Sequence, residues 1–243
     1  MDKSLLSCWG VTHVADILKA APRCVVEVLL DALARHEMAD LRLAARDAGV
    51  RVREVSREEL REAGGPEARL AVAVLKPFEY RPLDQVLSRA GGPRSLVVAL
   101  DGVTDPGNLG AIARSARFFG ASGLVLPKDR SVEVNAAAMR RSAGALAVLP
   151  VSRVVNLVRA LEELKAAGFW IYGAVATGGK DPAHEAFSER ACLVLGAEDE
   201  GLRPLVERTC DILLTVPGQF ESLNVSACAA VLMYAWNAGK PPA

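Results

Sequence analysis

The sequence has few of the residues that build metal sites and disulfide frameworks. Only three histidines are present, and the five cysteines are an odd number without a C-x-x-C pair. They are widely separated, at Cys8, Cys24, Cys192, Cys210 and Cys228. A disulfide-stapled fold and a zinc site are both poor fits to this pattern. We expect a protein without a metal.

Long hydrophobic stretches are also missing. Apolar runs such as residues 70–75 and 96–100 fall far short of the roughly 18 residues that a membrane span requires. The first twenty residues carry charges along their length, including Asp2, Lys3 and Asp16, so no signal peptide can be recognised. We expect a soluble, cytoplasmic protein that does not contact a membrane.

An excess of charge of either sign is absent as well. Lys+Arg and Asp+Glu number 29 each, so the formal net charge is zero. This balance argues against a protein that binds nucleic acid by overall charge, although a local basic patch remains possible. With 51% hydrophobic residues the chain is too apolar for disorder, and its 243 residues suit one large domain or two modest ones.

Several common active-site motifs do not occur. There is no G-x-x-x-x-G-K-[ST] for a P-loop, no G-x-G-x-x-G after a strand and no G-x-S-x-G nucleophile elbow. P-loop nucleotidases, ordinary dinucleotide-binding proteins and serine hydrolases are therefore not supported. Without these motifs, we expect a bound ligand, rather than a protein side chain, to supply the reactive group.

Small residues at 90–95 predict a linker at 91–95, between a first domain (1–90) and a second domain (96–243). The first domain reads as a small α/β unit. Its predicted elements are a helix over 35–48, a strand over 50–55, a helix opened by the capping box Ser56-Arg57-Glu58-Glu59, and a strand over 70–75.

The second domain alternates strands and helices regularly. Strands are predicted at 96–100, 124–126, 147–151, 170–175, 192–195 and 212–216, and helices at 109–119, 135–142, 154–167, 204–208 and 225–237. Continuous apolar strands between helices are typical of a parallel sheet covered on both faces. Ligands bind at the carboxyl ends of such strands. We therefore looked for chemistry in the loops after Leu100, Leu195 and Val216.

Each of these three loops also has an ordinary structural interpretation. Residues 105–108 (Asp-Pro-Gly-Asn) form a good turn, and residues 196–201 fit an acidic surface loop. Ser222 or Asn224 could simply cap the last helix. Three polar, glycine-containing loops that each follow a buried strand are nevertheless hard to explain by structure alone.

Each of the three loops contains a motif. The first reads Asp-Pro-x-Asn-x-Gly-Ala-x-x-Arg at 105–114, the second Leu-Gly-Ala-Glu-x-x-Gly-Leu at 195–202, and the third Ser-Leu-Asn-Val-Ser at 222–226. Together these motifs resemble the three signature motifs of the SpoU/TrmH family, the RNA ribose 2'-O-methyltransferases of the SPOUT superfamily. The resemblance covers about residues 96–236.

The resemblance implies an α/β SPOUT domain whose chain forms a deep trefoil knot, preceded by a small ribosomal-protein-like α/β domain that binds RNA. Residues 9–14 loosely resemble the usual start of that first domain. The implied reaction transfers a methyl group from S-adenosylmethionine to a ribose 2'-hydroxyl, without a metal, in a homodimer. The two-domain layout is most similar to enzymes that methylate a guanosine in 23S ribosomal RNA.

The resemblance also implies a cofactor site held largely by backbone groups. Carried over to this chain, it assigns Gly196, Val216 and Leu223 to the S-adenosylmethionine pocket, with Ala197 and Pro217 as neighbours.

The implied catalytic residues are Arg114, Asn108, Glu198, Ser222 and Asn224. A guanidinium does not deprotonate readily, so we expect Arg114 to hold a target phosphate bidentately rather than act as a base. The asparagines could hold ribose hydroxyls or orient Arg114, and Ser222 could do the same or cap a helix. For Glu198 we expect either a pair with an arginine or a role in holding its own glycine loop.

Two departures from the family pattern concern the target and the cofactor loop. Residues 67–70 read Glu-Ala-Arg-Leu where the family often has His-Gln-Gly, which leaves the RNA target open. The loop between Pro217 and Ser222 is about two residues shorter than the family pattern, which bears on cofactor binding.

Lys128, Arg140 and Arg141 are candidate RNA contacts, with solvated surface charge as the competing interpretation. The last helix is apolar nearly all round and must be buried in a core or against a partner. Three alternatives stay open: a transfer RNA methyltransferase, a non-catalytic RNA-binding or ribosome-assembly factor on the same fold, and an unrelated small-molecule binder.

Overall fold

A computed structural model describes residues 6–219 and 222–239. The elements in chain order are β1 (Leu6–Trp9), α1 (Val11–Ala20), β2 (Val25–Asp31), α2 (Ala39–Asp47), β3 (Arg51–Val55), α3 (Arg57–Gly64), β4 (Ala71–Leu75), α4 (Leu83–Arg89), β5 (Ser95–Asp101), α5 (Pro106–Phe118), β6 (Gly123–Pro127), α6 (Ala136–Arg141), α7 (Ala145–Val148), β7 (Val151–Val154), α8 (Leu157–Ala166), β8 (Trp170–Ala174), β9 (Arg190–Gly196), α9 (Pro204–Thr209), β10 (Ile212–Leu214) and α10 (Val225–Ala238). Short 3-10 turns follow α1 and β2.

The chain divides into two compact units. The first comprises Met1–Glu79 and Val134–Val148, and the second comprises Tyr80–Glu133 and Leu149–Ala243. The predicted linker at 91–95 therefore lies inside the second unit. The reason is α4, which precedes that linker and packs on β6 and β7 with Val86 fully buried.

The first unit is a four-stranded sheet in the order β1-β4-β2-β3 with helices packed on it. Strand β4 is antiparallel to both β1 and β2, whereas β2 and β3 are parallel. The serine half of the predicted capping box is confirmed, since Ser56 Oγ accepts from the backbone N–H of Glu59 at 3.2 Å, whereas the Glu59 carboxylate pairs with Arg53. The predicted helix over 35–48 is shorter than expected and begins at Ala39.

The second unit is a six-stranded sheet in the order β10-β8-β9-β5-β6-β7. All five strand pairs are parallel, which confirms the parallel α/β sheet predicted from the apolar runs. Central strands β5 and β9 are buried along nearly their whole length. Their side chains join those of α8 and α9 in one hydrophobic core.

One predicted strand was wrong and one predicted helix began too early. Helix α7, over residues 145–148, overlaps the first two residues of the strand predicted over 147–151, and β7 runs from Val151 to Val154 instead. Helix α8 begins at Leu157 rather than Val154, because the side chain of Asn156 caps it by accepting from the N–H of Arg159 at 3.1 Å.

The last helix, α10, buries one face and exposes another. Its buried residues are Val225, Ala229, Leu232, Met233 and Trp236, and the helix packs on α5 and β9. Apolar positions remain on the outer face, where Tyr234 is 63% exposed. The all-round apolar pattern therefore fills a core on one side only.

Within residues 6–219 and 222–239, no helix combines the length and hydrophobicity needed to cross a bilayer.

Candidate functional site

The three motif loops follow β5, β9 and β10, at the carboxyl ends of a parallel sheet. Strands β5 and β9 are direct neighbours, and the last pair in their register is Asp101 with Gly196. The first two loops therefore leave the sheet side by side. This is the edge at which ligands bind in open α/β folds.

The first loop ends in a well-defined helix start. Asp105 is the N-cap of α5, and its Oδ1 accepts from the N–H of Asn108 at 2.7 Å. Pro106 stands in the first turn, where its missing N–H costs nothing. The turn chemistry of Asp-Pro-Gly-Asn thus builds a helix entry that fixes the backbone of Asn108.

The second loop closes on itself directly after β9. Ala197 and Gly201 exchange two backbone hydrogen bonds of 3.1 and 3.0 Å. A Cβ at Gly196 would lie 2.2 Å from the carbonyl carbon of Gly201, so only glycine fits there. The loop is therefore a tight turn whose backbone is held by hydrogen bonds.

An ion pair with a buried carboxylate joins the first two loops. Asp101 ends β5 with its side chain fully buried, and Oδ1 accepts from Arg203 Nε at 2.6 Å and pairs with Nη2 at 2.5 Å. Its Oδ2 accepts from the backbone N–H of Arg203 at 2.8 Å. Arg203 is the N-cap residue of α9, so one carboxylate anchors both the side chain and the backbone at that helix start.

The third loop contributes Asn224, which connects all three motifs. Asn224 Nδ2 donates to Oδ1 of Asn108 at 3.0 Å and to Oε1 of Glu198. Asn224 Oδ1 accepts from the N–H of Ser226 at 2.9 Å and from its Oγ at 2.6 Å, so Asn224, not Ser222, is the N-cap of α10. Both amide hydrogens and the carbonyl oxygen of Asn224 are thereby used.

We call Asn108, Glu198 and Asn224 the amide–carboxylate triad. Glu198 pairs with no arginine among the described residues, contrary to one expectation from the sequence. Its Oε1 instead also lies 3.4 Å from the backbone N of Val225, so the carboxylate ties the second loop to the third. The triad is a polar junction built from three segments that are far apart in sequence.

A cavity of about 540 Å³ lies beside the triad. Asn108, Ala197 and Glu198 line it, together with Val225 and residues of the first two loops. Arg130, from the loop after β6, also lines it. Sequence reasoning did not single out Asp101, Arg203 or Arg130, because their proximity depends on the strand order.

The other predicted site residues lie in the motif loops or in the elements next to them, outside the triad. Arg114 on α5 and Ser222 are exposed, and neither makes a hydrogen bond or ion pair with any described residue. Gly196 is buried at the end of β9, Val216 is half-buried, and Pro217 and Leu223 are exposed. Phe220 and Glu221, on which the shortened loop depends, lie outside the described residues.

The cysteines are poor nucleophiles. Burial raises the pKa of the Cys8 and Cys210 thiols to about 12, and it raises the pKa of Cys24, Cys192 and Cys228 as well. Burial therefore disfavours the thiolate form at all five positions. In the described part of the chain, no group of three or more His, Cys, Asp or Glu side chains is placed to hold a metal ion.

Comparison with known proteins agrees with this geometry. Residues 95–234 match the model of the SpoU rRNA methylase family. The chain is 38% identical over 234 residues to a 23S rRNA (guanosine-2'-O-)-methyltransferase RlmB of Xylella fastidiosa, covering 93% of each chain. It is equally 38% identical over 239 residues to the RlmB of Ralstonia nicotianae, covering 96% of this chain and 95% of that one.

A solved structure extends the likeness to the fold. The SpoU methyltransferase AviRb from Streptomyces viridochromogenes, in complex with AdoMet, superimposes with a TM-score of 0.78 at 25% identity. The match covers 97% of this chain and 90% of AviRb. With the matched motif region, the full-length relatives and the shared fold in agreement, this chain belongs to the SpoU rRNA methylase family.

Proposed function

We propose that this protein transfers a methyl group from S-adenosylmethionine to the ribose 2'-hydroxyl of a guanosine in 23S ribosomal RNA. The observation that carries the proposal is the amide–carboxylate triad, in which one asparagine joins all three family motifs at the carboxyl edge of the sheet. The substrate is inferred from two relatives that match nearly the whole chain and are 23S rRNA (guanosine-2'-O-)-methyltransferases. The cytoplasm, where ribosomal RNA is found, is the proposed location.

The residues around the motif loops fit the cofactor. Leu223 is 48% exposed and Val216 is half-buried, so apolar side chains on the loop after β10 remain available to cover a flat ring such as adenine. Gly196, Ala197 and Pro217 would supply the adjoining backbone. When bound, the cofactor's sulfonium supplies an electrophilic methyl group.

The triad leaves defined polar atoms for the ribose. Asn108 uses its oxygen on Asn224, so its Nδ2 keeps two free donors; Glu198 uses Oε1, so Oε2 keeps its acceptor sites. A ribose hydroxyl both donates and accepts, and it could bond both groups at once. We assign Asn108 and Glu198 to holding the ribose in the orientation needed for attack, and Asn224 to positioning these two side chains.

Arg114 is the proposed phosphate clamp. Its side chain is exposed and pairs with no described carboxylate, which supports a role other than surface neutralisation. Its planar guanidinium can bind two phosphate oxygens at once, and the held phosphate can accept the proton that the 2'-hydroxyl loses. Ser222, also exposed, is proposed to assist in positioning the RNA.

The deep trefoil knot belongs to the same proposal. It is supported by the strand order of the second unit, in which β9 inserts between β5 and β8 while β10 lies outside β8. It is also supported by α10, which follows the third motif and packs back on α5 and β9.

For the first unit we propose RNA binding, with Arg140 and Arg141 as its candidate contacts and Lys128 as a contact on the second unit. Arg140 and Arg141 are exposed in the last turn of α6. Because the chain carries no net charge, its contacts with RNA phosphates must come from a localised basic patch.

We also propose a homodimer through α5 and α10. The ring centroids of Phe119 and Tyr234 are 6.5 Å apart, and next to Phe119 the side chain of Phe118 is 82% exposed. With Tyr234 and Val231 these residues form an aromatic patch on the outer side of the two helices. Exposed apolar patches of this kind mark interaction surfaces.

The test is transfer of labelled methyl from S-adenosylmethionine into unmodified 23S rRNA and, separately, into transfer RNA. We expect label in 23S rRNA only, its loss in Arg114→Ala, and a strong reduction in Arg114→Lys because lysine cannot bind bidentately. Label in transfer RNA alone would change the substrate. No label in either, together with no cofactor binding by calorimetry, would favour a non-catalytic RNA-binding factor.

A further inference from the structure

The cavity beside the triad has three charged residues without an assigned role. Arg130, Asp199 and Glu200 all line this space of about 540 Å³. None of them makes a hydrogen bond or ion pair with another residue in the described part of the chain. They are also not needed for the ribose, the phosphate or the cofactor in the function proposed above.

The remaining charges of the cavity are already satisfied. Asp101 is neutralised by Arg203, and Asp105 accepts from the N–H of Asn108. Glu198 accepts from the third loop through Oε1. Besides Asn108 Nδ2 and Glu198 Oε2, which are assigned to the ribose, the groups left to contact an occupant are two carboxylates and one guanidinium.

Arg130 stands on a fixed loop rather than a free one. Val132 N donates to Val103 O at 3.0 Å, which ties the loop to the first motif loop. Arg153 on β7 donates to Lys128 O at 2.9 Å and to Glu133 Oε1 at 2.7 Å, which holds both ends of the same loop. The guanidinium of Arg130 therefore starts from a defined backbone position at the cavity wall.

The charges of this cavity disfavour a phosphate and favour a base. Five carboxylates against two arginines give the lining a formal charge of −3, which repels an anion. A carboxylate accepts hydrogen bonds but cannot donate them, whereas a guanidinium can only donate. A matching occupant presents N–H donors on one edge and acceptors on another.

Guanine has this combination of edges. Its N1–H and N2–H₂ are adjacent donors that a carboxylate can accept, and its O6 and N7 are acceptors that arginine binds bidentately. Adenine replaces the O6 acceptor with an amino donor and lacks the N1–H, so it fails on both edges. RNA bases are read on these edges when they are unstacked from the helix.

We propose that this cavity is the pocket for the target base, where the carboxylates of Asp199 and Glu200 accept from N1–H and N2–H₂ of guanine and Arg130 donates to O6 and N7. The inference rests on the proposed function and deepens it, because it names the residues that select guanosine.

The experiment uses base analogues at the target position. The guanosine that the wild-type protein methylates in 23S rRNA is mapped first. RNA fragments that carry guanosine, inosine or 7-deazaguanosine at that position are then assembled by splint ligation. Inosine lacks only the 2-amino group, and 7-deazaguanosine lacks only the N7 acceptor. We expect kcat/KM of the wild-type protein to fall about 10-fold for each analogue, the size of one lost base contact.

The variants separate the two edges of the base. In Asp199→Asn/Glu200→Gln the preference for guanosine over inosine should shrink to less than about 3-fold, while the 7-deazaguanosine penalty persists. In Arg130→Gln the 7-deazaguanosine penalty should shrink to less than about 3-fold, while the preference for guanosine over inosine persists. Glu207→Gln and Arg208→Gln, which change exposed charges of α9 outside the cavity, should keep both penalties.

The outcomes distinguish this inference from the function on which it rests. Variants that bind S-adenosylmethionine as the wild type does, yet keep both penalties unchanged, overturn the base pocket. The single variants Asp199→Asn and Glu200→Gln provide the same readout if the double variant fails to fold. A wild-type protein that methylates no guanosine-containing RNA overturns the proposed function instead.

Discussion

The carboxylate of Asp101 binds Arg203 three times although the two residues are 102 positions apart. Its Oδ1 accepts from Nε at 2.6 Å and pairs with Nη2 at 2.5 Å, and its Oδ2 accepts from the backbone N–H at 2.8 Å. The carboxylate is fully buried, whereas the arginine is 40% exposed. The pair locks the first motif loop to the start of α9.

Breaking this pair should destabilise the second unit. For Asp101→Asn we expect the free energy of unfolding to fall by about 2–4 kcal/mol, because the mutation leaves a partly buried guanidinium without its charge partner. Urea unfolding followed by tryptophan fluorescence measures the change. Glu163→Gln removes the exposed pair with Arg159 on α8 and should cost less than about 0.5 kcal/mol. Equal effects of the two mutations would contradict the structural role of Asp101.

Asn224 has two functions that one substitution can separate. In Asn224→Asp the side-chain oxygen can still cap α10, but the donors to Asn108 and Glu198 are replaced by a second carboxylate beside Glu198. We expect kcat for methyl transfer to fall by about 100-fold, a typical loss when a positioning contact is removed. The melting temperature of the variant should stay close to that of the wild type, because the cap of α10 is kept.

The matched control for Asn224→Asp is Asn156→Asp. Asn156 caps α8 in the same way, with its Oδ1 accepting from the N–H of Arg159. This variant should keep both stability and methyl transfer, because aspartate is as good an N-cap as asparagine. If Asn224→Asp retained wild-type kcat, the triad would have no catalytic function.

Glycine at position 196 is required by contact with backbone. A Cβ there would lie 2.4 Å from Gly201 O and 2.5 Å from Leu202 N, and neither atom can move without opening the loop. We expect Gly196→Ala to cost about 3 kcal/mol or more by overpacking. In Gly120→Ala the new Cβ has open space and only the positive φ of 75° opposes it, so a loss of about 1 kcal/mol is expected. Differential scanning calorimetry measures the stability of both variants. An equal loss of stability in the two would contradict the requirement for glycine at position 196.

The stability of the first unit should depend on pH through Asp31. The hydrogen bond from Arg57, 2.9 Å away, and the backbone N–H of Leu33 hold the pKa of this buried carboxyl below its usual value near 3.8. A lowered folded-state pKa contributes stability above pH 3.8, and that contribution is lost as the pH falls through the folded-state value.

The test compares wild type with Asp31→Asn. We expect the wild type to be more stable by about 1–2 kcal/mol at pH 6, since a charge-assisted hydrogen bond is lost while the asparagine still caps the turn. Urea midpoints measured from pH 6 to pH 3 should converge at the acidic end. A difference that stays constant down to pH 3 would contradict the assignment.

The aromatic patch on α5 and α10 predicts the oligomeric state. If it is the dimer interface, Phe118→Glu should convert the protein to a monomer at micromolar concentration, because it places a charge within an apolar contact. Analytical ultracentrifugation measures this directly. Leu205→Glu, an equally apolar exposed position on α9 at 67% exposure, should leave the sedimentation coefficient unchanged. A wild-type protein that sediments as a monomer would exclude the dimer.

The sequence was sufficient for the architecture of the second unit but not for every boundary. Its strands are continuous apolar runs, which parallel sheets require, so five of the six were found. Residues 147–148 were misassigned to a strand because a short apolar run has no periodicity that separates a buried strand from a buried helix. The 134–148 segment could not be assigned to the first unit, because only tertiary contacts place it there.

The residues of the candidate site could be predicted from the sequence, but their hydrogen-bond partners could not. The motif loops supplied Asn108, Glu198 and Asn224, yet the sequence offered an arginine or the glycine loop as the partner of Glu198. The actual partners are Asn224 and Val225. Which groups meet depends on the order of the strands, and local patterns do not encode that order.

The role proposed for the triad implies that the chain cannot act before its last helix has been made. Asn108 and Asn224 are 116 residues apart, and Asn224 caps the last helix of the described chain. Contacts of such long range form late, since the loop between them must close first. A nascent chain that has exposed its first two motifs therefore still lacks the residue that joins them. On the role proposed for the triad, methyl transfer therefore begins only after α10 has folded onto α5.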